Sequence, residues 1–233
     1  MKRNILLSLL LISSMPVICQ DTLNQLDING KKQGYWKKKN KEGICVYEGQ
    51  FRHDIPYGVF LYFYPDGKLK TKSIYSDNGT IARTISYYPN GRKMAAGKYV
   101  FEKKDSIWQF FTEKDGALIS QESYVSGEKE GYFITYFPKG GTAELIMWQK
   151  GRKNGLWEQY YSDGKIKFRG SFRDDEKEGN FTAWDPSGIV IITGQYGNGH
   201  QDGIWCFFNE KGELLKKEIY DKGVLLKVEE VKK

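Results

Sequence analysis

The chain has 233 residues and a formal net charge of +7, from 36 Lys and Arg against 29 Asp and Glu. Aromatic residues make up 15% of it, and 26 positions are Gly against 6 Pro. Two histidines and three cysteines exclude a disulfide framework and a histidine-rich metal centre, and so modest and dispersed a charge gives no reason to expect a nucleic acid.

Residues 1–19 read as a secretory signal peptide. Lys2 and Arg3 precede a short apolar run, and Val17 and Cys19 are the small residues before a cut. A lipid anchor on Cys19 is the rival reading, although Ile18 is bulkier than the residue a lipobox places there. Either signal predicts export, to the periplasm, the outer membrane or the medium. Residues 20–28 form a lead-in, with Leu23, Leu26 and Ile28 available to cover the first hairpin. No later apolar stretch is long enough to span a membrane, so the mature chain is expected to carry no transmembrane span.

Residues 29–223 repeat. Turn glycines recur at Gly43, Gly67, Gly91, Gly116, Gly140, Gly164, Gly188 and Gly212, a period of 24 with one step of 25. Eight residues after each stands an aromatic: Phe51, Tyr75, Tyr99, Tyr124, Trp148, Phe172, Tyr196, Tyr220. Eleven residues after come residues that favour turns, among them Gly127, Gly151, Gly199 and Gly223, with Gly30 ahead of the first unit. A second small column holds Gly34, Gly58, Gly131, Gly155, Gly179 and Gly203. Two residues past it come Trp36, Phe60, Trp108, Phe133, Trp157, Phe181 and Trp205, and Thr84 breaks that row.

Each unit therefore reads as strand, tight turn, strand and longer polar loop. Asp163-Gly164 is a hairpin dipeptide. Ile166, Phe168, Gly170 and Phe172 share one face by period two. Trp157 and Tyr160 fall three apart, which predicts a bulge or a strong local twist in the first strand. The segments "VSGEKEG", "KGRKNG" and "RDDEKEG" are expected to be solvated connectors, and the aromatics at +8 to stack on their own copies as a ladder. The fold class is all-β: about eight tandem antiparallel hairpins in one elongated, twisted, open sheet. Residues 224–233 close it, and their charges are expected to blunt the last edge. Cys45 and Cys206, in the first and last hairpins, are expected to lie too far apart to pair.

The columns in "YEGQFRHDIPYGVF" (47–60), "FRGSFRDDEKEGNF" (168–181) and "ITGQYGNGHQDGIW" (192–205) resemble MORN (membrane occupation and recognition nexus) repeats. They are most similar to the variant repeats of bacterial YwqK-type antitoxin-like proteins. The resemblance implies a repeat scaffold of stacked hairpins. It brings with it a phospholipid-binding role for the classical repeat and an inhibitor role for the antitoxin-like group.

The residues themselves offer little chemistry. His53 and His200 lie in loops far apart, and no nucleophile, metalloprotease or phosphate-loop motif occurs. Asp174-Asp175-Glu176 and Glu128 with Glu130 are the acidic clusters from which a hydrolase could be built. No catalytic residue, metal or cofactor is expected. The expectation is a non-catalytic scaffold whose partner is a protein, with a glycan or an anionic lipid surface as alternatives. Tyr62, Tyr88, Tyr136 and Tyr161 stand outside the strictest columns and are the candidates for a ligand-binding face.

Overall fold

A computed structural model describes residues 23–76 and 78–231. The expected signal peptide with Cys19, residues 20–22, residue 77 and residues 232–233 lie outside the described residues. The chain runs through β1 (Gln25–Leu26), β2 (Lys32–Lys39), β3 (Cys45–Arg52), β4 (Ile55–Phe63), β5 (Leu69–Tyr75) and β6 (Ile81–Tyr87). It continues through β7 (Lys93–Val100), β8 (Lys103–Phe111), β9 (Leu118–Val125), β10 (Glu128–Tyr136), β11 (Thr142–Gln149) and β12 (Arg152–Tyr160). The last elements are β13 (Ile166–Arg173), β14 (Glu176–Lys177), β15 (Gly179–Trp184), β16 (Val190–Gly197), β17 (His200–Phe208), β18 (Leu214–Asp221) and β19 (Val224–Glu230). Together they make one antiparallel sheet of 19 strands in hairpin order, not closed into a barrel. β14 and β15 are two pieces of one strand, since both pair with β13. Cys45 and Cys206 are free thiols at opposite ends of this order, in β3 and β17.

Two kinds of turn alternate along the sheet. At Asp163-Gly164 only the glycine has positive φ, at 87°. The Gly164 amide donates to the Tyr161 carbonyl and the Tyr161 amide to that of Lys165. This is a longer loop closed by a left-handed glycine, not a two-residue turn. The two-residue turns lie inside the segments that the sequence presents as polar connectors. Lys150 and Gly151 have φ of 48° and 78°, and Ser126 and Gly127 have 50° and 89°. Positive φ at both centres is the mirror-image turn whose twist matches paired strands. Gly30, Gly199 and Gly223 also have positive φ, at 75°, 83° and 86°.

The connectors "VSGEKEG", "KGRKNG" and "RDDEKEG" are therefore mostly strand, which corrects the expectation of solvated loops. The physical reason sits at the second small column. Gly155 has φ of 96°, and pairing skips there: Ile146 faces Trp157 while Trp148 faces Lys153. This irregularity lets the strand pass the tight turn, bulge, and rejoin the ladder. The bulge expected between Trp157 and Tyr160 also occurs, as a register shift between Gln159 and Tyr160.

Candidate binding faces of the sheet

Every strand of this single-layered sheet sends alternate side chains to opposite faces. On one face lie both aromatic columns. Phe51 meets Trp36 at 6.2 Å and Phe60 at 5.1 Å between ring centroids, both edge-on, and Phe60 meets Tyr75 at 5.1 Å. Near the other end Phe181 meets Tyr196 at 5.7 Å, and Tyr196 meets Trp205 at 5.1 Å. The ladder thus alternates between the columns at +8 and +17, and the +8 rings do not stack on their own copies. Copies are two strands apart, about 10 Å at the backbone, and rings interact at about 4.5–7 Å, so the +8 rings are bridged by +17 rings. The +17 rings reach their own copies at one end of the sheet, where Phe181 lies 6.4 Å from Trp157 and 5.6 Å from Trp205.

Space for that ring comes from small residues. Phe60 lies against Gly49, Trp108 against Gly97 and Trp205 against Gly194; a methyl group at any of these glycines would fall within 2.5 Å of the ring. In the degenerate unit the pair is Ser73 and Thr84 instead. Both are buried, and their hydroxyls are 2.9 Å apart. Among the described residues, the ladder of ring contacts is interrupted at this point, between Tyr75 and Tyr99.

Lysines cover the rings. The Lys104 ammonium lies 4.9, 4.8 and 4.9 Å from the Trp108, Phe110 and Tyr124 centroids. Lys129 lies 4.0 Å from Trp148, Lys153 5.0 Å from Phe172, and Lys177 5.0 Å from both Trp157 and Tyr196. Lys32 caps Phe51 at 4.6 Å. These lysines occupy one repeat position, two residues past the mirror-image turns or, for Lys32, past the glycine-closed loop at Gly30. Their stems exclude water from the rings while the ammonium groups stay wet.

The candidate tyrosines do not share one surface. Tyr62 lies on the ladder face, stacked beside Phe60 at 6.3 Å, with its hydroxyl 3.5 Å from that of Tyr75. Burial, then the bond to Tyr75, pushes its phenol well above the usual range. Tyr88 and Tyr161 begin turns. Their hydroxyls donate to the carbonyls of Phe111 and Trp184, at 3.0 and 2.8 Å, one unit further on. Tyr64 does the same to Tyr87 at 2.7 Å. Tyr136 donates to Gln121 at 2.7 Å, and burial raises its phenol. These hydroxyls are engaged inside the protein.

The opposite turn edge is stitched by backbone. The amides of Gly127, Gly151, Gly199 and Gly223 donate to carbonyls of Lys104, Lys129, Lys177 and Gln201, one hairpin back, at 2.8–3.0 Å. Asp54 and Asp175 add a carboxylate that accepts from the amides of Lys32 and Lys153, both at 2.8 Å.

The second face is the open one. The residue before each column aromatic points there: Tyr35, Val59, Ile107, Tyr132, Leu156 and Ile204, with the polar Asn180 ahead of Phe181. Most stay exposed, with Ile107 at 56%, Ile204 at 54%, Tyr132 at 49% and Val59 at 46%. Ile74 and Ile119 are exposed beside them. The row recurs about every 10 Å. It is cationic over the degenerate unit, where Val59 faces Ile74, Ile74 faces Arg83, and Lys72 faces Ile85. Lys72, Ile74, Arg83, Ile85, Tyr87 and Ile107 line a shallow groove there. Further along the same face Glu158 is buried, paired with Arg169 at 2.6 Å and bonded by the Tyr160 hydroxyl. Reasoning from sequence misses this face. Its signal is the apolar residue directly ahead of the large aromatics, which only Asn180 before Phe181 breaks.

Among the described residues, no three His, Cys, Asp or Glu side chains gather as a metal-binding group. His53 bonds Asp27 through Nδ1 at 2.6 Å, which helps hold the Asp27 carboxyl below its ordinary range. His200 lies far along the sheet, in β17. Asp174 forms an exposed ion pair with Arg152 at 3.7 Å, and Glu130 accepts from the Lys150 amide at 2.8 Å. No helix among the described residues is long and apolar enough to cross a membrane.

The family profile described as "MORN repeat variant" matches residues 56–77 and 153–174. No curated protein matches the chain. Among solved structures, a chain of the one titled "Crystal Structure of TcdB2-TccC3-Cdc42" aligns over 82% of this chain and 12% of its own length. That alignment has 12% identity and a TM-score of 0.22. The two segments that match the family lie in units whose columns recur along the sheet, and the chain carries MORN-variant repeats at 56–77 and 153–174.

Proposed function

We propose that this chain is a non-catalytic, exported scaffold that binds a protein partner across the face opposite the aromatic ladder. MORN repeats are binding modules of a non-catalytic repeat type. The observation that carries the reading is the contrast between the faces. The ladder is covered by its own lysines, while Val59, Ile74, Ile107, Tyr132 and Ile204 stay exposed in a repeating row. A soluble protein exposes so extended an apolar row where something docks. Lys72 and Arg83 give the row a positive charge and favour an acidic partner segment with apolar side chains. Export rests on the charged, apolar and small residues of positions 1–19.

The test is photo-crosslinking in cells, with a benzophenone amino acid at Ile74 or Ile107 on one face and at Lys129 or Lys153 on the other. The expected result is one protein adduct from both isoleucine positions and none from the lysines, joined to a segment rich in acids. Adducts from the lysine positions alone would overturn the choice of face. Adducts to glycan or lipid alone would overturn the choice of partner.

A further inference from the structure

The lysines over the ladder follow a rule. Lys32, Lys104 and Lys129 each cover the aromatic four residues on and the +8 ring of the next strand: Trp36 and Phe51, Trp108 and Tyr124, Phe133 and Trp148. Lys153 and Lys177 cover the +8 rings Phe172 and Tyr196 in the same way. By this spacing Tyr75 falls to position 56 and Tyr99 to position 80, where the chain has Pro56 and Thr80. Among the described residues, no lysine or arginine cation lies over either ring. Gln201 is the other exception in the row, but its unit keeps Trp205.

Three departures from the repeat thus meet at one place, because Thr84 also removes the +17 ring that would bridge Tyr75 and Tyr99. Ala82 pairs with Tyr75 on one side and with Tyr99 on the other. It is buried and separates the two rings at the floor. Pro56, Tyr75, Thr80, Ala82, Tyr99 and Glu102 line a cavity of about 430 Å³ there. The one charge in this lining is the Glu102 carboxylate. It is exposed and, among the described residues, has neither a hydrogen-bond nor an ion-pair partner.

We propose that this cavity binds a small quaternary ammonium ion, of the trimethylammonium type, between Tyr75 and Tyr99 and beside Glu102. The repeat itself shows what its rings accept. A cation sits 4.6 Å from the Phe51 centroid and 4.9 Å from that of Tyr124, and over Tyr75 and Tyr99 the chain supplies none. Ring faces attract a cation, and the unpaired Glu102 carboxylate adds attraction of the same sign at the mouth. A methylated ion suits this lining better than a bare ammonium. A primary ammonium has three N–H donors to satisfy, and the ladder lysines keep theirs in water. Here the floor is a methyl group, and Pro56 and two rings make the walls. The Thr80 hydroxyl already donates to Asn78 Oδ1 at 3.0 Å. A quaternary ion leaves no donor unpaired, and aromatic walls are its usual mode of recognition. The site lies on the ladder face and is independent of the partner surface opposite.

Titration with tetramethylammonium chloride tests the proposal, followed by NMR of isotope-labelled tyrosine rings, with sodium chloride at matched ionic strength as the reference. The Tyr75 and Tyr99 signals should shift together and saturate with a millimolar affinity, as suits an ion of so few atoms. Tyr124 and Tyr196, which carry their lysines, should not move. tert-Butyl alcohol, a neutral molecule of similar shape, should bind about tenfold more weakly or worse. Thr80→Lys supplies the ammonium that the row otherwise carries. It should abolish binding while urea stability stays level or rises. Glu102→Gln changes an exposed side chain and should weaken binding severalfold with stability unchanged, which reads the site without new packing. No saturable shift at Tyr75 and Tyr99, equal binding of alcohol and ion, or undiminished binding in both variants would overturn the proposal. Phosphatidylcholine vesicles carry the same cationic group. Sedimentation of the protein with such vesicles and no response to the free ion would overturn it too, since the site would then need a lipid surface.

Discussion

Trp108 lies so close over Gly97 that a methyl group on the glycine would fall 2.2 Å from a ring carbon. The same relation joins Gly194 with Trp205 and Gly49 with Phe60, and a different solution stands in the same place at Ser73 and Thr84. The repeat is therefore built on a pair, one small and one large residue on neighbouring strands, that changes together. Gly97→Ser alone is expected to cost about 1–3 kcal/mol through overpacking. Trp108→Thr alone is expected to cost about 3–5 kcal/mol through the cavity it leaves. Gly97→Ser with Trp108→Thr recreates the hydroxyl pair and should cost less than the sum of the two single changes, by about 0.5–3 kcal/mol. Urea unfolding of the parent, the two single variants and the double variant measures this directly, and strict additivity would contradict it.

The turn edge offers a milder test. Tyr161→Phe removes only the hydroxyl that reaches the Trp184 carbonyl. The loss should be about 0.5–1.5 kcal/mol, with the strand circular-dichroism signal unchanged. A partner that binds the tyrosines themselves would instead lose affinity with no loss of stability.

The buried phenols predict a loss of stability in alkali. Tyr160 is pushed up to about 12, by burial first and then by its bond to Glu158. Burial also raises Tyr62 and Tyr124. In the unfolded chain tyrosine ionises near pH 10. The unfolded state therefore loses its protons first, and stability that is whole below about pH 10 falls as pH rises toward the folded values. The urea midpoint should be level up to about pH 9 and then decline, with phenolate absorbance appearing alongside unfolding. A midpoint level through about pH 12 would contradict this assignment of buried tyrosines.

On the open face the prediction separates binding from folding. Ile107→Ser and Ile74→Ser change exposed positions and should alter stability by no more than about 0.5 kcal/mol. Both should reduce partner crosslinking severalfold. Equal crosslinking in the variants would remove these side chains from the binding surface.

Much of this architecture is legible in the chain because glycine is readable. Gly164 and Gly151 mark backbone that few other residues tolerate, so the turns and the hairpin order follow from them. What each segment does between turns is harder to read. Lys129 and Lys153 look like residues of a solvated loop, because the same side chain serves a loop or a ring cap, and only its neighbours across the strand decide. Tyr161 and Asp185 begin equivalent turns, yet one reaches the next hairpin and the other accepts its own turn's amide, from Ile189 at 2.9 Å. No single-position signal distinguishes those roles. The open face is hidden for a related reason: Ile107 beside Trp108 reads as one more core residue until the single layer is seen, among the described residues, to have no second layer on its other side.

The most direct measurement of the binding account is lysine acetylation footprinting of the protein, free and with its crosslink-identified partner. Lys70 and Lys72 belong to β5 on or beside the open face, and Lys129 and Lys153 cover the ladder. The account predicts that the partner slows acetylation of Lys70 and Lys72 and leaves Lys129 and Lys153 unchanged. Protection of Lys129 and Lys153 with Lys70 and Lys72 unaffected would contradict it.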